Sequence, residues 1–319
     1  MRKYILRRLL LFIPTLLGVS IAIFVLLRVI PGDIAVLILA GPGGQGAFTP
    51  RELEETRERL GLNRPIYVQY LAWTWDLVRG DLGTSIYLRK PIADQVKRQF
   101  PVTLQLTLLA IIVVSLVSIP IGIIAAVKQD SSVDYLLRGF AVLGLAAPNF
   151  FVGLLIILLL SIAFGWTPPL GFVHLWKDPL VSFQQLIFPA LALGFALSGL
   201  LVRMTRAQLL EVLREDYVRT ARSKGLAENT VVMRHAVRNA LLPVVTIGGA
   251  QIGALFTGAV VTETIFNLPG VGRGLIQAML NRDLPMIQIY IMYFTVVALL
   301  ANLLVDLTYA WLDPRIRYE

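Results

Sequence analysis

The sequence predicts an all-α integral membrane protein with six transmembrane helices and a helical extracytoplasmic region after the first span. Three observations carry this. The chain of 319 residues is 56% hydrophobic and only 15% charged, with mean hydropathy +0.73, whereas globular chains carry about 25% charged residues. Apolar runs close to the ~20 residues that cross a bilayer recur along it. Basic residues cluster beside those runs in alternate short segments, as they do on the cytoplasmic side. In a soluble protein the net charge of +9 would point to nucleic acid. Here the positive-inside rule accounts for it, and no nucleic-acid partner is expected. The chain has no cysteine, which excludes disulfides, thiolate metal sites and cysteine nucleophiles.

The first span is Leu9–Leu27, preceded by Arg2, Lys3, Arg7 and Arg8. It is longer than a signal-peptide core and shows no small-residue cleavage site, so it reads as an uncleaved span with its N-terminus inside. Asp33 to Phe100 is the external region. Gly41, Pro42, Gly43, Gly44 and Gly46 form a loop. Thr49-Pro50-Arg51-Glu52 is a capping box with proline at the first helical position, opening a helix that runs to about Leu60 and stops at Gly61. A second helix begins near Pro65 and carries Tyr67, Tyr70, Trp73 and Trp75. It either rests at the membrane interface or packs on its neighbours. Gly80-Asp81-Leu82-Gly83 ends it, and a short helix Pro91–Phe100 leads back to the bilayer.

Span two is Val102–Val127. Span three is roughly Gly139–Phe164 and contains Pro148-Asn149. Span four is about Phe183–Val202, span five about Val244–Thr262 and span six about Pro285–Trp311. The short inside segments hold four, two, eight and two Lys or Arg residues, against Lys177, Arg273 and Arg282 in short outside loops. Both termini are therefore expected in the cytoplasm. Two parts are expected: 1–100, the first span with the external region, and 101–319, a core of five spans with a cytoplasmic loop at 211–243.

That loop, Glu211 to Pro243, is the long polar interruption of the second half, and it reads as helix, turn, helix. Leu209, Leu213, Tyr217 and Ala221 recur at i+4 and share one face. Glu211, Glu215, Arg219 and Arg222 take the other, with Glu215 four residues before Arg219 in the favourable ion-pair order. Gly225 ends the first helix after Arg222 and Lys224, cations suited to a helix C-terminus. A second helix is expected from about Glu228 to Leu242, with Pro243 at its junction with span five. Taken alone, the pattern fits either a knob that docks in a partner's groove or an amphipathic surface hairpin without a partner.

Asp-Tyr-Val-Arg-Thr-Ala-Arg-Ser-Lys-Gly-Leu at 216–226, followed by Arg-His-Ala-Val-Arg-Asn-Ala-Leu-Leu-Pro at 234–243, resembles the cytoplasmic "EAA" loop of ABC importer permeases. It is closest to the variant of the peptide, nickel and glutathione branch. Arg219 and Thr220 stand at the glutamate and first alanine positions of the general pattern, and only Ala221 and Gly225 fit it. Further resemblance lies in Arg-Arg-Leu-Leu-Leu-Phe-Ile-Pro from Arg7, in Glu263–Gly274 and in Asp313–Arg317.

The resemblance implies the type I importer permease fold in a prokaryotic cell membrane. It implies a second homologous permease subunit, two ATPase subunits that carry ATP and Mg, and an extracytoplasmic substrate-binding protein. In that family the loop is the coupling helix on the ATPase, which marks Asp216, Tyr217, Arg219, Thr220, Ala221, Lys224, Gly225, Leu226 and His235. A di- or oligopeptide is the implied substrate; nickel chelates and glutathione are alternatives from the same branch.

No catalytic constellation is visible. His174 and His235, the only histidines, are expected on opposite faces of the membrane, which disfavours a triad or a histidine metal site. No Walker A loop occurs, so this chain is expected to be no enzyme and to bind no cofactor or metal. Ionisable residues near the membrane are costly, which singles out Arg28, Glu263 and Asp306. Glu263 either meets a peptide's amino group near the outer gate or pairs with a neighbouring arginine. Asp306 is read as partner of a cytoplasmic-side arginine. Asn149 either marks a kinked stretch facing the translocation path or makes a helix–helix hydrogen bond. An ion-coupled secondary transporter would need charges near the centres of the spans, and those centres are uncharged.

Overall fold

The computed structural model describes residues 2–29, 34–40, 46–59, 61–169 and 171–312. Helix α1 is Arg2–Val29, α2 Ile34–Ala40, α3 Pro50–Arg59 and α4 Ile66–Val78. The capping box forms as expected: the Thr49 amide and hydroxyl donate to Glu52 Oε2 at 2.7 and 2.9 Å, and the Glu52 amide donates back to Thr49 Oγ1 at 3.3 Å. Those bonds, the backbone one foremost, hold the Glu52 carboxyl below its usual pKa. No strand occurs among the described residues, and one isolated bridge joins Thr84 and Pro91.

The long helices depart from the expected boundaries. Helix α5 runs unbroken over Ile92–Val127, so the separate helix expected at Pro91–Phe100 is the first quarter of one long helix. Pro101 deletes one backbone donor, a loss membrane helices tolerate. The third span is not one kinked helix but two, α6 (Ser132–Ala146) and α7 (Asn149–Phe164), at 112°. Pro148 drives Ala147 out of helical geometry, to ψ 124°. The Phe151 and Val152 amides then bond to the Pro148 carbonyl and start a new helix.

Helix α8 covers Pro179–Val212, ten residues beyond the expected inner end, and α9 is Asp216–Ser223. The single helix expected through Leu209, Leu213, Tyr217 and Ala221 is therefore interrupted, because Glu215 is extended at ψ 146°. After Gly225, α10 (Glu228–Thr230) continues as a π-helical turn, Val231–Ala236, and then as α11, Val237–Ala250. Pro243 lies inside α11, so the junction expected there moves to Gln251, where α12 (Ile252–Ile265) departs by 49°. Gly248 and Gly249 precede that bend, and such small residues weaken a helix. Helices α13 (Val271–Leu280) and α14 (Leu284–Leu312) complete the chain.

By length and composition, four helical stretches can cross a bilayer: Leu10–Val29, Ile92–Val127, Pro179–Val212 and Leu284–Leu304. The count reaches six if each bent pair is one span. The protein is thus a multi-pass, all-α membrane protein.

The chain forms two compact units. One comprises Leu104–Leu268 with the chain from Ala298 on; the other comprises Arg2–Thr103 and Pro269–Val297. Helix α8 is the axis of the first, its apolar window 67% buried and packed by α6, α7, α11 and α12. Gly144 and Gly199 let α6 and α8 touch backbone to backbone. A Cβ on Gly144 would lie 3.0 Å from the Phe195 carbonyl oxygen and 3.2 Å from Gly199 Cα, the close approach small residues give membrane helices. The second unit has its core around Ile92, Val271, Ile287 and Tyr290.

Candidate functional site

The loop expected to be functional forms a knob between α8 and α11. Its apolar interior is small: Val218 is fully buried and Ala221 7% exposed, packed on Val231 with Val212 and Leu213 alongside. The π turn faces Val231, Val232 and Ala236 inward and leaves Met233 outside. Single-turn π-bulges of this kind recur at functional positions.

The knob is closed by Arg222. Its Nη2 and Nε donate to the two Glu228 carboxylate oxygens at 2.7 and 3.0 Å, and its Nη1 donates to the Leu213 carbonyl at 3.4 Å. The bond to Glu228 raises the guanidinium's pKa. Gly225 turns the chain at φ +79°, with its amide on the Arg222 carbonyl at 2.9 Å. That left-handed geometry is costly for a side chain. Tyr217 fastens the knob to α11: its hydroxyl accepts from Asn239 Nδ2 at 2.8 Å and donates to the His235 carbonyl at 3.5 Å.

The residues singled out from sequence fall in two groups. Asp216, Arg219, Thr220, Lys224, Gly225 and Leu226 are exposed, as is Tyr217; His235 is half-buried. Ala221 faces inward and cannot be a contact surface, which corrects the expected shared face of Leu209, Leu213, Tyr217 and Ala221. Arg219 pairs with Asp216 at 3.4 Å rather than with Glu215. The outward surface of α9 is consequently polar, rimmed by Tyr217, Leu226 and Met233.

Asn149 is the first residue of α7 and half-buried. A Cβ on Gly258 of α12 would sit 3.5 Å from its Nδ2, so this amide lies at the break of the bent helix pair, against α12. Glu263 is wholly buried within α12. Arg28 is half-buried in α1, its guanidinium 5.1 Å from the Phe24 ring centre. The Asp306 side chain lies outside the described residues.

Two constellations escaped the sequence reading. Asp134, 0% exposed, takes a fork of two hydrogen bonds from Arg206, Nε to Oδ1 and Nη2 to Oδ2, both 2.7 Å. It pins α6 and the preceding loop to α8. Serine at 131 and Asp134 three residues on are an N-terminal signature that was there to read; the Ser131 side chain does accept from the Asp134 amide. Asp283, 2% exposed, caps α14 and reaches across the second unit. Its carboxylate accepts from the Ser85 hydroxyl and from the Ile86 and Tyr87 amides at 3.2 and 3.3 Å. Asp-Leu-Pro at 283–285 is a helix-start signal, but nothing in sequence joins it to residue 85.

Helix α4 sits on α1 through one face. Tyr70 bonds to Ser20 at 2.8 Å, and Phe24 packs on Tyr70 and Trp73 at ring-centre distances of 5.5 and 5.7 Å. Ile66, Tyr67, Leu71, Trp75 and Val78 remain exposed on the other. Of the two sequence readings, neighbour packing holds for the first face, and the second is an apolar surface of the kind that lies at a membrane interface.

Residues 118–318 match the family described as binding-protein-dependent transport system inner membrane component, and 1–107 match its N-terminal membrane component. The dipeptide transport system permease protein of Escherichia coli K12 is 40% identical over 342 aligned positions, covering all of both chains. The di/tripeptide transport system permease protein of Pseudomonas aeruginosa UCBPP-PA14 is 40% identical over 339, again with both chains fully covered. A Brucella abortus (strain 2308) chain named for a peptide transport system is 42% identical over 319 residues, end to end. The chain belongs to the family of binding-protein-dependent transport system inner membrane components.

Proposed function

We propose that this chain is one of two permease subunits of an ATP-driven importer for di- or oligopeptides. An extracytoplasmic binding protein delivers the substrate, and two ATPase subunits supply ATP hydrolysis. Both termini and the knob are cytoplasmic, and Thr49–Phe100 is external. The names of the full-length relatives support the substrate class. The observation that carries the coupling role is the knob itself: a polar-surfaced projection, closed by Arg222 and Glu228 and joined directly to two long helices.

Helix α8 is unbroken from Pro179 to Val212, and the helix beyond the knob is continuous from Glu228 to Ala250. A displacement of the knob by a closing ATPase dimer therefore reaches the core of its unit through two levers. Arg222 and Glu228 keep the push from dissipating in the loop. Asp216, Tyr217, Arg219, Thr220, Lys224, Gly225, Leu226 and His235 are the proposed coupling residues, while Ala221 serves the knob's interior. Asn149, at the break between α6 and α7, and Glu263, buried in α12, are proposed for the translocation path.

The test is dipeptide uptake and ATP hydrolysis in vesicles reconstituted with all subunits. Gly225→Val should leave the chain inserted and uncouple hydrolysis from uptake, since a β-branched residue resists positive φ. Nothing lies within 4 Å of a Cβ there, so the effect is conformational rather than steric. Arg219→Glu, on a side chain 70% exposed, should weaken co-purification of the ATPase. Normal assembly and uptake in both variants would reject the coupling role.

A further inference from the structure

The second unit contains a cavity of about 780 Å³, within the ~300–1,000 Å³ typical of small-molecule sites. Its walls carry both signs of charge, on different elements. Arg28 comes from α1 and Arg89 from the loop before α5; Asp76 comes from α4 and Asp81 from the turn after it; Leu27 and Trp73 supply apolar surface. None of these four charged side chains takes part in an ion pair among the described residues. Two cations and two anions line one amphipathic space without neutralising each other through contact.

The cationic wall is held under strain. Arg89 adopts φ +53°, a geometry side chains rarely take and one that persists only where its surroundings impose it. They do so here: the Arg89 amide bonds to the Ser85 carbonyl at 3.0 Å, the Ser85 amide to the Lys90 carbonyl at 3.0 Å, and Ser85 is clamped by buried Asp283. Asp81 uses one oxygen on the Gly83 amide at 2.8 Å, which orients its carboxylate.

We infer that this cavity binds a short zwitterionic peptide, an inference that rests on the peptide-import reading above. The ammonium group meets Asp76 and Asp81, the carboxylate meets Arg28 and Arg89, and an apolar side chain lies against Trp73 and Leu27. Recognition by the two termini leaves the side chain loosely specified, which suits a carrier of varied peptides. Every residue named for this site comes from this chain.

The experiment uses the full chain in lipid nanodiscs, with radiolabelled alanyl-phenylalanine as probe and no binding protein. Saturable binding is expected in discs of phosphatidylcholine. Acetylating the amino group or amidating the carboxyl group should weaken it about 10- to 100-fold, the worth of one charge-assisted hydrogen bond. Asp76→Asn combined with Asp81→Asn should abolish the penalty of acetylation, and Arg89→Gln should abolish that of amidation. Thermal melting confirms that the variants are folded, and either discrimination test suffices if one variant is not.

Phosphatidylethanolamine shares the zwitterionic chemistry. If discs containing it lose peptide binding, and that lipid is retained by the wild type but not by Asp76→Asn, the cavity is a headgroup site and the peptide inference fails. Absence of saturable binding also overturns it. Uptake by the complete transporter is measured in parallel. Uptake without binding to this chain rejects the cavity and keeps the import reading; loss of all peptide uptake by the wild-type assembly rejects the import reading itself.

Discussion

Arg206→Met should be among the most destabilising single changes in the chain. Asp134 is 0% exposed and Arg206 19% exposed, and their two hydrogen bonds are both 2.7 Å. Without the guanidinium, the carboxylate keeps the Asp130 amide at 3.1 Å and the more distant charge of Arg138. Breaking a buried pair from one side costs about 3–5 kcal/mol, because the surviving charge is left uncompensated. At roughly 2–4 °C per kcal/mol, the melting temperature should fall by about 10 °C. Asp134→Leu together with Arg206→Met removes both charges and should cost less than the sum of the single changes. Thermal unfolding of the detergent-solubilised wild type, two single variants and the double variant completes the cycle. A single-variant cost below about 1 kcal/mol, or strict additivity, would refute the view that this pair pins α6 to α8.

Asp283→Ala should release the loop at 84–91, cost about 2–4 kcal/mol through its unsatisfied donors, and speed trypsin cleavage of the Arg89–Lys90 bond, the Lys90–Pro91 bond being resistant; an unchanged digestion rate would contradict the clamp. Burial, and then Lys177, hold the His174 pKa below its usual 6.5, so the unfolded chain takes up the proton first. The His174 contribution should therefore diminish as pH falls through about 6.5, and His174→Gln should remove that slope from melting curves measured between pH 5 and 8. For topology, cysteines are placed at Arg51, 88% exposed, and at exposed Ser223. An impermeant reagent added from outside should label Arg51→Cys and not Ser223→Cys; the reverse would invert the proposed orientation.

What the sequence made legible was local. The capping box at Thr49, the positive-φ turn at Gly61 after α3, the start of α4 after Pro65 and the turn at Gly225 are each set by residues within a few positions of one another. The helix breaks are less legible. Pro148 breaks its helix, whereas Pro101, Pro189 and Pro243 lie within theirs, so the residue type alone does not mark the break. The loop's apolar periodicity was real, but α9 turns away from α8 at Glu215, so a stripe that looked continuous serves two different contacts. Long-range pairs were invisible: Arg206 with Asp134, and Ser85 with Asp283, are 72 and 198 positions apart.

The fate of that apolar stripe bears on how the knob meets its partner. Val218 and Ala221 are spent on Val231 inside the knob. What α9 offers outward is Asp216, Arg219, Thr220 and Lys224, with Tyr217, Leu226 and Met233 at the edge, 42%, 41% and 52% exposed. Docking on the proposed ATPase should then be led by charge and hydrogen bonds, with a modest apolar share. Exposed charges lose reach as salt shortens the screening length, from ~10 Å at 0.1 M to ~3 Å at 1 M, whereas apolar burial does not weaken in this way. Association of the ATPase with the membrane-reconstituted permease should fall steeply between 0.05 and 1 M sodium chloride, values chosen to span about 14 to 3 Å, and chiefly through the association rate. Arg219→Glu should flatten that dependence by removing one of the charges that produce it. Association that is indifferent to salt, or strengthened by it, would mean that the edge residues dominate and that the polar face of α9 is not the contact surface.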